Sequence, residues 1–239
     1  MEKALRWCRE KFGDVEYDYI NAHVPVFKDV EVELHWRVSS MASLFKNERL
    51  QQWLECEENK KMICGGRLVL PNGGEITVPT PDFNTFYMIL HCYNHAFQSG
   101  LGLRQLMDYY FLLMFFPEIH GDAYAISNAK QLFKKLGMER FVGGVMWIMQ
   151  EVFMMGRERL LYEPNEKEGR YILAEVMAGG NFGHYDEKIK KVGRGKWRSI
   201  FVNLQHTLYV LRRYPLEVLW MPLWIVYHFV WKRVLNSYN

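Results

Sequence analysis

The chain has 239 residues, 49% of them hydrophobic and 24% charged, enough apolar sequence to bury a sizeable core in one large domain or two small ones and too much for global disorder. Thirty basic residues against 27 acidic ones leave a formal charge of +3, a near balance that gives no independent case for a nucleic-acid or membrane partner and confines any phosphate-binding site to a local patch. Cys8, Cys56, Cys64 and Cys92 form no CxxC pair and no secretory signal opens the chain, so reduced thiols in a cytoplasmic protein are expected, with Cys92 a small core residue.

From the N-terminus, residues 2–12 carry helical spacing, with Ala4, Leu5 and Cys8 or Trp7 on one side and Gly13 as C-cap. Strand-like runs follow over 15–20, 23–27 and 30–36, the last two joined by a hairpin turn at Lys28 and Asp29 that lacks a glycine. Residues 47–55 read as a helix, and 67–70 with 76–78 as a second hairpin around Pro71, Asn72, Gly73 and Gly74. After Pro79 and Pro81 the pattern turns helical, with helices over 82–98, 102–116, 122–136, 138–154, 166–178, 195–213 and 215–236. This predicts an α+β fold: a short mixed or antiparallel sheet in residues 1–80, then a mainly α-helical bundle in 81–239.

Two constellations can carry chemistry. In VEVELHWR, strand alternation places Glu31, Glu33, His35 and Arg37 on one face, where carboxylate, imidazole and guanidinium can hold a divalent metal and a phosphate together; a solvated hairpin face is the alternative. In the helical part, His91 and His95, and Arg104 and Asp108, stand four residues apart. A chain reversal at Gly100 and Gly102 can bring Arg104 or Asp108 near His95. The structural alternative is an Arg104–Asp108 ion pair with the histidines bonded to backbone carbonyls, and a metal held by His91, His95 and Asp108 is a further geometric possibility.

Two other segments have readings of their own. The span Gly179 to Gly195 contains five glycines together with Lys188, Lys190 and Lys191; it reads as a helix connection or as an anion-binding loop, without the ending of a Walker motif. Trp197, Arg198, Arg212 and Arg213 read as a solvated helix face. Residues 216–231 are apolar but hold Glu217, Pro222 and His228 and are too short to span a bilayer. A docked helix is expected there, with peripheral membrane contact left open by Trp220, Trp224 and Trp231 beside Arg212, Arg213, Lys232 and Arg233.

VEVELHWR, PTPDFNTFYMILHCYNHAF, GLGLRQLMDYYFLL and GGNFGHYD, in that order, resemble the uncharacterised nucleotidyltransferase family common in bacterial polysaccharide-synthesis gene clusters. The resemblance implies a minimal nucleotidyltransferase palm followed by a helical domain, with a nucleoside triphosphate bound between them and a nucleoside monophosphate passed to an unknown acceptor. It also implies Mg²⁺ held by an Asp-x-Asp strand and a third acidic residue, which falls on Glu33 with Glu31 beside it, and a nucleotide cleft faced by His35, Arg37, His91, His95, Arg104 and Asp108, with Arg104 meeting a phosphate and Asp108 orienting it. The Gly-Ser turn and the Asp-x-Asp strand of the family have no counterpart in this chain, because Asp14 lies in a turn and Asp18 on a different strand. The expectation is therefore an N-terminally truncated palm that is inactive alone, or a non-catalytic remnant that binds a nucleotide or a protein.

Overall fold

A computed structural model describes residues 1–13, 15–17, 20–27, 30–98, 100–115, 123–179 and 211–236. Helix α1 (Glu2–Phe12) buries Leu5 and Cys8 and leaves Trp7 exposed, so the three-to-four spacing selects Cys8 for the inner face. It ends at Gly13, whose φ of 78° is left-handed, and the Gly13 N–H donates to the Arg9 carbonyl. The chain then forms an antiparallel sheet of β1 (Glu16–Tyr17), β2 (Asn21–Phe27) and β3 (Val30–His35), in that spatial order.

The register pairs Asn21 with His35, Ala22 with Leu34, His23 with Glu33 and Val24 with Val32. Buried Ala22 and Val24 turn one face of the sheet inward, and α1 packs against β2. Beyond Val24 the register shifts, where Pro25 has no N–H to offer the ladder.

Helices α2 (Leu44–Glu55) and α3 (Glu57–Ile63) come next, and then an antiparallel hairpin of β4 (Gly66–Val69) and β5 (Glu75–Val78). The helical part consists of α4 (Pro81–Gln98), α5 (Leu103–Phe115), α6 (Ala123–Lys135), α7 (Glu139–Glu151), α8 (Glu166–Gly179) and α9 (Pro215–Asn236). The α+β class and the helical C-terminal part agree with expectation, and the sheets are antiparallel rather than mixed. Two differences stand out. Helix α2 begins three residues earlier than its apolar spacing indicates, and α3 is a helix where none is expected.

Helix α4 is the central element: it packs against α3, α5 and α6, and Phe83, Phe86, Ile89, Leu90 and Tyr93 are buried along it. Leu50 and Leu54 of α2 join the same core. Behind β3, the Asn94 amide of α4 donates to Ser39 Oγ at 3.1 Å and to the Ser40 carbonyl at 2.9 Å, tying the end of the sheet to the middle of the bundle. Ser39 and Ser40 are buried, so these bonds satisfy groups that water cannot reach. Helix α9 docks as expected of a non-spanning helix. Its Trp220 meets Phe45 edge to face at 5.7 Å and its Trp231 meets Tyr17 of β1 at 6.3 Å. Among the described residues no helix is long and apolar enough to cross a membrane.

Candidate functional site

The face of the sheet opposite Ala22 and Val24 carries the polar residues of β2 and β3. Alternation along β3 exposes Glu33 and His35, and the antiparallel register sets Asn21 and His23 across from them. Oε2 of Glu33 accepts from the Asn21 amide at 2.8 Å and lies 2.8 Å from Nε2 of His35. Its other oxygen, Oε1, faces Nδ1 of His23 at 4.0 Å. The remaining ring nitrogen of His35 lies 3.3 Å from the Arg37 carbonyl. A carbonyl and a carboxylate only accept hydrogen bonds, so the His35 ring is held between two acceptors.

Partial burial alone raises the Glu33 carboxyl. The hydrogen bond and charge of His35, the charge of His23 and the hydrogen bond from Asn21 outweigh it and hold the carboxyl below its ordinary value.

The second constellation comes close enough to feel this carboxylate. On α4, Phe83, Tyr87 and His91 stack at successive ring separations of 6.0 Å, and His91 meets His95 edge to face at 4.3 Å. Burial lowers the His91 pKa, the charge of His95 lowers it further, and Glu33 on β3 and Asp108 on α5 act against both. Burial likewise lowers His95, opposed by a backbone hydrogen bond at Gly100 and by Glu33. Tyr87 is raised, first by burial and then by the charge of Glu33. Glu33, His35, His91, His95 and Asp108 therefore share one electrostatic neighbourhood, assembled from β3, α4 and α5.

Other expected members fall differently. Arg37 and Arg104 are exposed, Arg37 just past the end of β3 and Arg104 in the first turn of α5. Among the described residues Arg104 and Asp108 form no ion pair, so the pinning role expected of them is not realised; both are exposed on α5. The side chain of Glu31 lies outside the described ones. So do Asp14, Asp18, the turn at Lys28 and Asp29, the glycine-rich segment beyond Gly179 with its lysines, and most of the helix expected over 195–213, including Trp197 and Arg198.

Asn21 and His23 belong to this polar face beside Glu33, and sequence reasoning did not single them out. The signal that finds them is register: with Lys28 and Asp29 taken as the turn, residues 21 and 23 fall near 35 and 33.

Among the described residues no three His, Cys, Asp or Glu side chains converge to hold a metal ion, so the combination of His91, His95 and Asp108 is not formed as a metal site. Mg²⁺ takes oxygen ligands in near-octahedral geometry, usually one or two carboxylates plus substrate phosphates. At this face the described donors are one carboxylate, already bonded to an amide and an imidazole, and several ring nitrogens. By themselves these side chains do not fit a two-Mg²⁺ centre.

The family described as an uncharacterised nucleotidyltransferase matches residues 9–154, and the chain belongs to that family. No curated protein and no solved structure matches it.

Proposed function

We propose that the face made by Glu33, His35, His91 and His95 is where this chain meets a nucleoside triphosphate, with Arg37 and Arg104 directed at its phosphates and Asp108 tuning the α4 histidines. The observation that carries this reading is electrostatic: Glu33 of β3 acts on His91 and His95 of α4, so two constellations far apart in sequence share one field, in a chain of the nucleotidyltransferase family. In the family's reaction an acceptor oxygen bonds to the α-phosphorus, the α–β phosphoanhydride bond breaks, and pyrophosphate leaves with the electron pair. Divalent Mg²⁺ neutralises the phosphates in such transfers. This chain's own residues bind and orient: the imidazoles donate to phosphate oxygens, and Glu33 fixes the His35 ring.

A second reading, binding without transfer, has its own support. One Glu33 oxygen is occupied by His35 and Asn21, which leaves little of that carboxylate for a metal. Calorimetric titration with ATP, GTP, CTP and UTP, with and without Mg²⁺, combined with a pyrophosphate-release assay, separates the two. Binding with Mg²⁺-dependent pyrophosphate release that Glu33→Gln abolishes supports transfer. Binding that needs no metal and releases no pyrophosphate supports the second reading, and absence of binding to all four nucleotides refutes both.

A further inference from the structure

Helix α9 presents two unlike faces. The inner one holds Glu217, buried in a 2.5 Å ion pair with Lys46, and the rings of Trp220 and Trp231 that meet Phe45 and Tyr17. On the outer one Leu216, Leu219, Leu223, Val226 and Val230 recur at alternating three- and four-residue steps, each half exposed or more. Ile225 and Phe229 widen this surface, and the fourteen residues 218–231 contain no Asp, Glu, Lys or Arg. A continuous exposed apolar surface of this kind marks an interaction site, whereas single exposed apolar residues need no explanation.

Charge decides the occupant. The exposed charged side chains described around the stripe are Arg212 before it and Arg233 beyond it, the latter with its guanidinium 4.8 Å over the Phe229 ring. The acid of this segment, Glu217, is turned inward and neutralised by Lys46. Pairing with a second copy, parallel or antiparallel, sets cationic ends against cationic ends with no exposed acid on the helix to answer them. An anionic lipid surface complements both features: apolar side chains enter the acyl boundary while arginines at either end meet headgroup phosphates. We propose that α9 is an interfacial helix that lies flat on an anionic membrane surface and holds the protein there.

The test is flotation of the full chain with vesicles of phosphatidylcholine containing one-third phosphatidylglycerol, beside vesicles of phosphatidylcholine alone. The protein is expected to float with the anionic vesicles and several times less with the neutral ones. A Leu223→Glu, Val226→Glu double variant with unchanged circular dichroism is expected to stay at the bottom. Should that variant misfold, Arg212→Gln with Arg233→Gln changes only exposed side chains and is expected to weaken binding to anionic vesicles roughly thirtyfold. Failure of the wild type to float with anionic vesicles overturns the proposal, as does equal flotation of wild type and a folded variant. Equal flotation with both vesicle types overturns the anionic requirement. A wild type that stays at the bottom but sediments as a dimer, made monomeric by the double glutamate variant, assigns the face to a second copy instead.

Discussion

Glu33 gathers its partners unevenly, and the asymmetry sets what each neighbour does. Asn21 and His35 both bond to Oε2, so Oε1 is left facing His23 at 4.0 Å. Asn21 thereby acts as a positioning residue, fixing which oxygen is turned toward the open side. Replacing it, Asn21→Ala, removes a hydrogen bond to the charged form and is expected to move the Glu33 carboxyl up toward its ordinary value of 4.5. A carboxyl-carbon NMR titration reads this directly, and an unmoved Glu33 resonance would dismiss the role. Because the folded-state value is depressed, the stability Glu33 contributes is complete above its unfolded value and is lost as pH falls through the folded one. The variant loses it at higher pH.

His91 and His95 act in the same direction, but in a higher pH range. Their folded-state values lie below 6.5, mainly through burial, so between those values and 6.5 the unfolded chain binds more protons and stability falls as pH drops. The groups facing His91 are Tyr87 and His95 on α4, Glu33 and His35 on β3 and Asp108 on α5, and the two carboxylates oppose the effect without reversing it. Urea midpoints at pH 7.5 and 5.5 are expected to separate in the wild type and to converge in a His91→Gln, His95→Gln variant. Equal separation in both would place the acid sensitivity elsewhere.

At the scale of elements, α7 and α8 show how backbone approach is built from small residues. A Cβ on Gly169 would lie 2.3 Å from Cε3 of Trp147, and one on Gly144 would lie 2.7 Å from Cδ1 of Ile172 and 3.1 Å from the Glu168 backbone. Alanine gains about 1 kcal/mol of helix propensity over glycine. Overpacking against a ring that itself carries Arg170 at 5.2 Å costs about 1–3 kcal/mol. Gly169→Ala is therefore expected to destabilise by roughly 1 kcal/mol net, read as a lower urea midpoint with unchanged slope; a raised midpoint would mean that Trp147 yields freely.

Much of this architecture was legible in the sequence, because long apolar periods and Gly or Pro punctuation place α4 to α9 to within about three residues at each end. Helix α3 was not, since EENKKMI has no apolar stripe. Its support is tertiary and polar: buried Asn59 donates to the Trp53 carbonyl and accepts from Asn128 of α6. The alternation of VEVELHWR showed Glu33 and His35 sharing a face. It could not show that α4 brings His91 into their field, because that depends on Asn94 holding Ser39 and Ser40, a contact between segments 54 and 55 residues apart.

Across the whole molecule, two ion-paired acids fasten the last described segment to the rest. Glu217 of α9 reaches Lys46 of α2, while Glu168 of α8, only 2% exposed, receives Arg140 of α7 at 3.0 Å, Arg213 at 2.7 Å and the Tyr214 hydroxyl at 2.6 Å. Arg140 also donates to the Arg213 carbonyl. The Tyr214 ring packs on Phe97 of α4 at 4.8 Å, so the turn before α9 is anchored to α4, α7 and α8 together. Removing one partner of a buried ion pair costs about 3–5 kcal/mol when the remaining charge is stranded. Arg140 is 44% exposed and Arg213 20%, so water recovers part of that cost. Glu168→Ala is expected to destabilise by about 2–3 kcal/mol, seen as a lower urea midpoint. The lost anchor should also let protease cut near residue 214 before the core of α4 to α7 opens. A loss below about 0.5 kcal/mol with an unchanged cleavage pattern would mean that aromatic packing alone holds α9 in place, and that its outer stripe is presented without help from Glu168.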